Sequence, residues 1–338
     1  PLATLFEAPT IASCAALIRQ EVGQVAVDRG GTDPASTTPD ATVPVVKKPR
    51  LRALVVVQEG QDRPPFFCVH GAGGNVLNLR DLAKALDRKQ PVFGLQAAGV
   101  DGVGRPRETI EEMASAYLPE MLERQPHGPY LLGGYSGGGL VAFEMARRLT
   151  DAGEPVALLA LIDTMHPQMN LPRHDLATRL GRLRHEGVSY FQGVLERRRQ
   201  SAQTAQHEQA IDAHLARGET IPYELRETYM MTRFDRAMAK YTPTPWLGKA
   251  TLFRATDVDY FYQFGGPVYG WERDIVGGIE IIPIPGNHNT MMVGSNALRL
   301  AHALRGAIES AQSSTHRTAD AEMPHELDAP VALRVAAR

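Results

Sequence analysis

The chain has 338 residues, enough for one large domain or two modest ones. Its formal net charge of −2 excludes a broad basic field for binding nucleic acid or an anionic membrane surface. No run of apolar residues approaches the roughly 18 to 20 that a membrane-spanning helix needs.

The chain has only two cysteines, Cys14 and Cys68. Two thiols in a chain of this size fit a reducing compartment without a disulfide framework, so we expect a cytoplasmic protein. Cys68 stands in an apolar run and is expected to be a core residue. The N-terminus shows no charged leader or cleavage pattern of a secretory signal, and it begins at Pro1 rather than Met. We therefore expect a piece of a longer polypeptide.

The first 50 residues divide into two segments. Apolar residues recur at helical spacing after Pro9, which predicts a short helical segment over residues 1–27. Residues 28–50 are rich in Gly, Pro, Ser, Thr and Asp and cannot bury apolar surface, so they are predicted to be a flexible linker.

From about Leu51 onward, apolar strands alternate with helices. The pattern predicts strands over 53–57, 65–70, 92–97, 129–134, 156–163, 250–255 and 279–284, and helices near 76–87, 109–125, 138–151 and 294–310. Such alternation favours an α/β fold, a mostly parallel sheet with helices on both faces. Functional sites in these folds lie at the C-terminal ends of the strands.

Residues 165–245 interrupt this alternation with amphipathic helical sequence and no convincing strand. We predict a helical lid over the strand ends, inserted between two strands of the sheet. The alternative is a separate helical domain with no role in the site. The core domain is expected to end near residue 312, and residues 313–338, which are polar and aperiodic, are predicted to be a disordered tail.

One pentapeptide, Gly134-Tyr135-Ser136-Gly137-Gly138, stands between a predicted strand and a predicted helix. A G-x-S-x-G motif at such a junction is the nucleophile elbow of α/β-hydrolases, in which a sharp turn exposes the serine hydroxyl above the sheet. The alternative is a glycine-rich loop whose serine only caps a helix. Ser136 is therefore the candidate nucleophile.

A nucleophilic serine needs a base, and the base needs an orienting partner. Asp163 ends an apolar strand and is the candidate acid; the alternative is a helix cap. His288 follows the last strand on a Gly/Asn turn and faces the same edge as Ser136, so it is the candidate base. His166 is the one rival, since it lies only three residues after Asp163.

Two backbone amides are candidates for the oxyanion hole. In this fold one donor is the residue after the nucleophile, here Gly137, and the other comes from the loop after an earlier strand. The loop His70-Gly71-Ala72-Gly73-Gly74 fits this second position, with Ala72 as the donor. His70 is expected to shape the loop rather than to titrate.

With these motifs the chain resembles the C-terminal (type I) thioesterase domains of modular polyketide and nonribosomal peptide synthases. The similarity covers about residues 51–310 and rests on the segments 67–74, 130–138, 161–164 and 284–288. Residues 1–22 look like the last helix of an acyl or peptidyl carrier domain. The chain departs from the family in having Asn287 and Asn289 around the base, and His-Gly-Ala where many members have His-Pro-Ala. The second departure bears on which amide completes the oxyanion hole.

The resemblance implies a thioesterase that releases a finished chain through an acyl-Ser136 intermediate, by hydrolysis or macrocyclisation. The substrate would arrive on the phosphopantetheine of an upstream carrier domain, and the thioesterase itself would bind no cofactor or metal. No nucleic acid or membrane partner is expected. Two other classes stay open: a free-standing carboxylester hydrolase acting on diffusible esters, and a non-catalytic interaction module. An aromatic cluster over residues 260–264, together with Trp271, could line a pocket or pack in the core.

Overall fold

The computed structural model describes residues 52–322 apart from residues 62, 170–180, 182, 185, 186, 188 and 259–261. The predicted carrier-like helix (1–27), the predicted linker (28–50) and the end of the predicted tail (323–338) lie outside the described residues.

Seven strands in the described part of the chain form one sheet in the order β1-β3-β2-β4-β5-β6-β7. They are β1 (Leu54–Gln58), β2 (Phe66–Val69), β3 (Val92–Leu95), β4 (Tyr130–Tyr135), β5 (Val156–Ile162), β6 (Ala250–Ala255) and β7 (Ile279–Ile284). Only the edge strand β1 runs antiparallel to its neighbour, and the other pairs of these strands are parallel. The predicted α/β class with a mostly parallel sheet is confirmed.

Helices cover both faces of the sheet. On one face lie α2 (Ile110–Arg124) and α3 (Gly138–Asp151), and on the other lie α1 (Leu79–Ala85) and α6 (Gly294–Glu322). Two apolar cores result, one on each side of the sheet, so the inner strands are buried on both faces, whereas the edge strands β1 and β7 are partly exposed. In β2, for example, Phe66 and Cys68 enter one core while Phe67 and Val69 enter the other. This explains why the strands read as continuous apolar runs rather than as alternating patterns.

The predicted lid lies between β5 and β6 and contains α4 (Ser189–Ala216) and α5 (Tyr223–Lys240). Helix α5 is not a separate domain, because Phe234, Ala237 and Tyr241 belong to the same core as α2 and α3. The hydroxyl of Tyr241 also donates to the buried Glu144 carboxylate of α3, at 3.1 Å. The lid is thus attached to the sheet domain next to the elbow.

The prediction of a disordered tail from residue 313 is wrong for residues 313–322, which continue α6. Neither Gly nor Pro occurs from residue 307 to residue 322, so the backbone has no helix breaker there. Of the predicted aromatic cluster, Tyr260 and Phe261 lie outside the described residues, and Trp271 is buried against Phe143. The described helices include none with the length and apolarity to cross a membrane.

Candidate active site

Ser136 lies on a strained turn between β4 and α3. Its φ of +55° falls in the left-handed region, which residues other than glycine rarely adopt. Hydrogen bonds of the backbone hold the turn: the Ser136 amide donates to the carbonyl of Ile162 at 2.9 Å, and the Ser136 carbonyl accepts from Thr164 Oγ1 at 2.9 Å and from the amide of Gly139 at 3.1 Å. The hydroxyl is thereby presented above the C-terminal edge of the sheet.

The glycines around Ser136 allow close backbone approach. A Cβ on Gly134 would lie 2.3 Å from the backbone of Gly138, and a Cβ on Gly138 would lie 2.0 Å from the carbonyl oxygen of His70. The strand, the helix and the loop after β2 therefore pass each other at distances that only glycine permits.

Asp163 follows β5 and is also in the left-handed region, with a φ of +47°. Its side chain is almost fully buried, at 2% exposure. One carboxylate oxygen, Oδ1, accepts from the amide of Ala255 at 2.9 Å and from the hydroxyl of Tyr269 at 3.3 Å. A buried carboxylate is tolerated when such donors replace water. These contacts, rather than a helix cap, occupy the carboxylate.

His288 lies in the loop after β7 and connects the other two side chains. Its Nδ1 is 2.7 Å from Asp163 Oδ2, and its Nε2 is 2.9 Å from Ser136 Oγ. With Nδ1–H donating to the carboxylate, Nε2 is left as a hydrogen-bond acceptor that faces Ser136 Oγ. The structure thus brings Ser136, Asp163 and His288 together at one edge of the sheet, although they are spread over more than 150 residues of sequence.

The rival histidine, His166, has different partners. Its Nε2 is 2.8 Å from Asp274 Oδ2, and its Nδ1 accepts from the amide of Gln168 at 3.1 Å. Burial lowers the pKa of His166, although Asp274 partly offsets the effect. Both ring nitrogens are therefore engaged in a buried contact that does not include Ser136.

The two candidate oxyanion donors come from loops that touch. Ala72 follows β2 and Gly137 follows β4, and these strands are neighbours in the sheet. Among the described residues, no hydrogen bond is made by the amide of Ala72 or of Gly137. An oxyanion site requires N–H donors that no other group occupies, and both amides meet this condition.

The family model for the thioesterase domain matches residues 64–308, which include all five candidate residues. The chain belongs to the thioesterase domain family. The matched region runs from just before β2 into α6, so it contains the whole site and the lid.

Curated proteins similar to this thioesterase domain are large synthetases. Malpinin synthetase of Mortierella alpina is 41% identical over 163 residues, 48% of this chain and 2% of the synthetase. Indigoidine synthase of Dickeya dadantii is 37% identical over 169 residues, 50% of this chain and 10% of the synthase. A dimodular nonribosomal peptide synthase of Bacillus subtilis is 27% identical over 303 residues, 86% of this chain and 11% of the synthase. The chain therefore spans only a small part of each relative.

Solved structures show the same fold. The thioesterase domain NocB, in a covalent complex with a fluorophosphonate nocardicin G analogue, matches with a TM-score of 0.53 at 23% identity, covering 73% of this chain and 95% of that one. A four-domain nonribosomal peptide synthetase, holo-AB3403, matches with a TM-score of 0.55 at 23% identity, covering 75% of this chain and 20% of that one. The predicted α/β-hydrolase fold is confirmed.

The lid of the thioesterase domain lies directly against the loops of the two candidate oxyanion donors. A Cβ placed on Gly137 would be 2.2 Å from the ring of Phe234 on α5, and one placed on Gly74 would be 2.7 Å from Met230 of the same helix. The Phe234 ring also meets the His70 ring edge-on, with centroids 6.0 Å apart. Phe234 thus forms a wall of the candidate site. From the sequence, it was predicted only to lie in the amphipathic helical lid.

Within the described residues, no group of three or more His, Cys, Asp or Glu side chains could hold a metal ion.

His70, the one histidine in the candidate oxyanion loop, is buried, and both of its ring nitrogens make hydrogen bonds. Its Nδ1 donates to the Gly71 carbonyl at 2.6 Å, and its Nε2 accepts from the Tyr117 hydroxyl at 2.7 Å. Burial lowers the pKa of His70 to about 4, so the ring stays neutral at neutral pH.

We expect His70 to make the fold acid-sensitive. The unfolded chain takes up a proton at the ordinary pKa of 6.5, whereas the folded chain takes it up only near 4. This contribution to stability is present above about pH 6.5 and is lost on acidification, by about 3 kcal/mol down to pH 4. Denaturant unfolding of wild type and His70→Gln across this range measures it. The variant should lose that part of the pH dependence, while His302→Gln, at an exposed position on α6, should keep it; parallel curves for His70→Gln and wild type would contradict the expectation.

Proposed function

We propose that this thioesterase domain releases an acyl or peptidyl chain from the phosphopantetheine thiol of an upstream carrier domain, through an acyl-Ser136 intermediate, by hydrolysis or macrocyclisation. The observation that carries the proposal is the continuous hydrogen-bonded relay from Ser136 through His288 to Asp163.

In the first step Ser136 Oγ attacks the thioester carbonyl while His288 Nε2 takes its proton. Asp163, bonded to Nδ1, stabilises the imidazolium that forms and keeps the ring in the required tautomer. As the tetrahedral intermediate collapses, the carbon–sulfur bond breaks and His288 returns the proton to the leaving thiol. The product of this step is an ester between the acyl chain and Ser136.

The negative charge of the tetrahedral intermediate develops on the former carbonyl oxygen. The amides of Ala72 and Gly137 would donate to this oxygen, and one such donor is typically worth about 3–4 kcal/mol. Two features support this role: neither amide has another hydrogen-bond partner among the described residues, and Gly137 is the N-cap of α3, whose N-terminus favours negative charge.

In the second step a new nucleophile attacks the acyl-serine. His288 deprotonates it, the ester bond to Ser136 breaks, and the proton passes through His288 back to Ser136 Oγ. Water gives a free acid, and a hydroxyl or amine of the same acyl chain gives a macrocycle. The Phe234 wall of the lid limits the space in which this second nucleophile must lie.

The carrier is proposed as the delivering partner on two grounds. The similar curated proteins are synthetases of which this domain makes up a small part, and residues 1–22 resemble the end of a carrier domain. The phosphopantetheine belongs to the carrier, so the proposal gives the thioesterase domain no cofactor of its own.

The proposal is tested by giving the purified chain one acyl group in two forms, a carrier-bound pantetheine thioester and the matching oxoester. Mass spectrometry of the product then distinguishes acid from macrocycle. We expect faster release from the thioester. A clear preference for the diffusible oxoester would instead favour a free-standing carboxylester hydrolase.

A fluorophosphonate probe tests the nucleophile itself. We expect rapid labelling of the native chain on the peptide that contains Ser136, and no labelling after denaturation. Native protein that stays unlabelled would overturn the serine mechanism and point to a non-catalytic module.

A further inference from the structure

Tyr135 occupies the variable position of the G-x-S-x-G motif, directly before Ser136, and makes two contacts with His288. Its ring stacks on the imidazole, with centroids 5.1 Å apart and planes 19° from parallel. Its hydroxyl donates to the backbone carbonyl of His288 at 2.8 Å. One side chain of β4 thus holds both the ring and the main chain of a residue 153 positions away.

We propose that Tyr135 is a positioning residue for the base: its ring fixes the plane of the His288 imidazole and stabilises the imidazolium, and its hydroxyl anchors the loop that carries His288. The proposal rests on the proposed function, because it assigns a role relative to the Ser136–His288 step.

The ring contact supplies a restraint that the other bonds of His288 lack. The bonds to Asp163 and Ser136 lie at the two nitrogens, in the plane of the imidazole. They limit rotation within that plane but do little against tilting out of it. The Tyr135 ring lies on the face and blocks that motion on one side.

The hydroxyl contact connects the loop to the sheet. Most other polar contacts of this loop are internal, such as the amides of Asn289 and Thr290 donating to Asn287 Oδ1 at 3.1 and 2.9 Å. The Tyr135 hydroxyl reaches from the end of β4, the strand that directly precedes Ser136, to the His288 carbonyl in this loop. Burial raises the pKa of Tyr135 to about 12, so the hydroxyl keeps its proton and its donor role at neutral pH.

Charge stabilisation follows from the stacking. An aromatic face attracts a cation, and His288 becomes a cation each time it takes the Ser136 proton. In the part of the chain that the structure describes, the titratable groups that line the same recess of about 80 Å³ as His288 are Asp163, Asp257 and Tyr269. These groups remain in place when Tyr135 is replaced, so a variant isolates the effect of the ring.

The experiment measures the rate of fluorophosphonate labelling of Ser136 from pH 5 to 9, because this rate depends on the base and not on the natural substrate. Tyr135→Leu removes the ring and the hydroxyl. The labelling rate should fall, and the midpoint of its rise with pH should move down by about half to one pH unit, since the imidazolium loses a favourable contact.

Tyr135→Phe keeps the ring and removes only the hydroxyl. Its rate should fall by about two- to tenfold with an unchanged midpoint, because one hydrogen bond is lost. Tyr130→Phe is the matched control. Tyr130 lies at the other end of the same strand, and its hydroxyl donates to the carbonyl of Pro126 at 3.1 Å rather than to the His288 loop. It should label at the wild-type rate.

A side chain that merely fills space would change stability and leave the pH profile as it is. Wild-type rates and midpoints in folded Tyr135→Phe and Tyr135→Leu would therefore overturn the proposal. If Tyr135→Leu does not fold, a wild-type labelling rate in Tyr135→Phe overturns the anchoring role by itself. Absence of labelling in the wild-type protein would be a different result, since it contradicts the proposed function rather than the role of Tyr135.

Discussion

Ser136→Ala and His288→Ala will each lower turnover of a carrier-bound thioester by about 10⁴- to 10⁶-fold. Ser136→Ala removes the nucleophile, and alanine adopts the strained turn no less readily than serine does. His288→Ala removes the imidazole that takes the serine proton in the proposed mechanism. Its Nε2 lies 2.9 Å from Ser136 Oγ. Single-turnover release, with the folded fraction measured alongside by thermal unfolding, gives the loss per folded molecule.

His166→Ala is the matched control for the base. It removes a histidine that is buried against Asp274 and leaves that carboxylate without its partner, which costs about 1–3 kcal/mol of stability. Turnover per folded molecule should stay near the wild-type value. We thus expect His166→Ala to lose stability and His288→Ala to lose activity. A dead His166→Ala beside an active His288→Ala would move the base to His166.

The position of the site was predictable because parallel strands align their ends. Ser136, Asp163 and His288 each follow an apolar run, at β4, β5 and β7, and the C-terminal ends of parallel strands share one edge. The strands themselves were predicted within about two residues, and in the inner strands this is because burial on both faces leaves an uninterrupted apolar run. Strand order was not readable: nothing local to β6 indicates that it lies between β5 and β7.

Helix ends were less predictable than strands. The helix predicted over 76–87 occupies only Leu79–Ala85, and α6 continues past the predicted end at 310 to Glu322. The helical period of apolar residues marks the part of a helix that packs against a core, so it does not fix where the helix ends. The prediction of a disordered tail fails over residues 313–322 for that reason: a segment without apolar periodicity can still be helical.

Contacts between distant side chains could not be predicted from one sequence. Tyr135 stands at a motif position where the pattern accepts any residue, and His288 lies 153 residues away. Phe234 fitted an amphipathic helix, which indicated a buried face but not what that face covers. The residues that support the site are therefore less visible in sequence than those that perform the chemistry.

We expect the second large effect from Gly137→Ala, because Gly137 is a candidate oxyanion donor and lies against the lid helix α5. Gly137 has an ordinary helical backbone, with a φ of −57°, so alanine brings no backbone strain. Its Cβ would, however, lie 2.2 Å from the ring of Phe234, which is buried and has little room to turn. Either the lid helix or the amide of residue 137 must shift.

We expect Gly137→Ala to lose about 10²- to 10³-fold in turnover, the amount that one oxyanion donor contributes. Gly306→Ala is the control, because its added Cβ would meet nothing within 4 Å. It should match the wild-type protein in turnover and be more stable by about 0.5–1 kcal/mol, because alanine favours the interior of a helix more than glycine does.

Combining Gly137→Ala with Phe234→Ala separates a clash with the lid from any other effect of the added methyl group. Phe234→Ala alone leaves a cavity and costs about 3–5 kcal/mol of stability. In the double variant the methyl group has room, so we expect turnover to return to the level of Phe234→Ala and the two losses to be strongly non-additive. Turnover and unfolding of all four proteins complete the double-mutant cycle. Purely additive losses would mean that Phe234 does not press on Gly137, and the lid would then have no part in shaping the oxyanion hole.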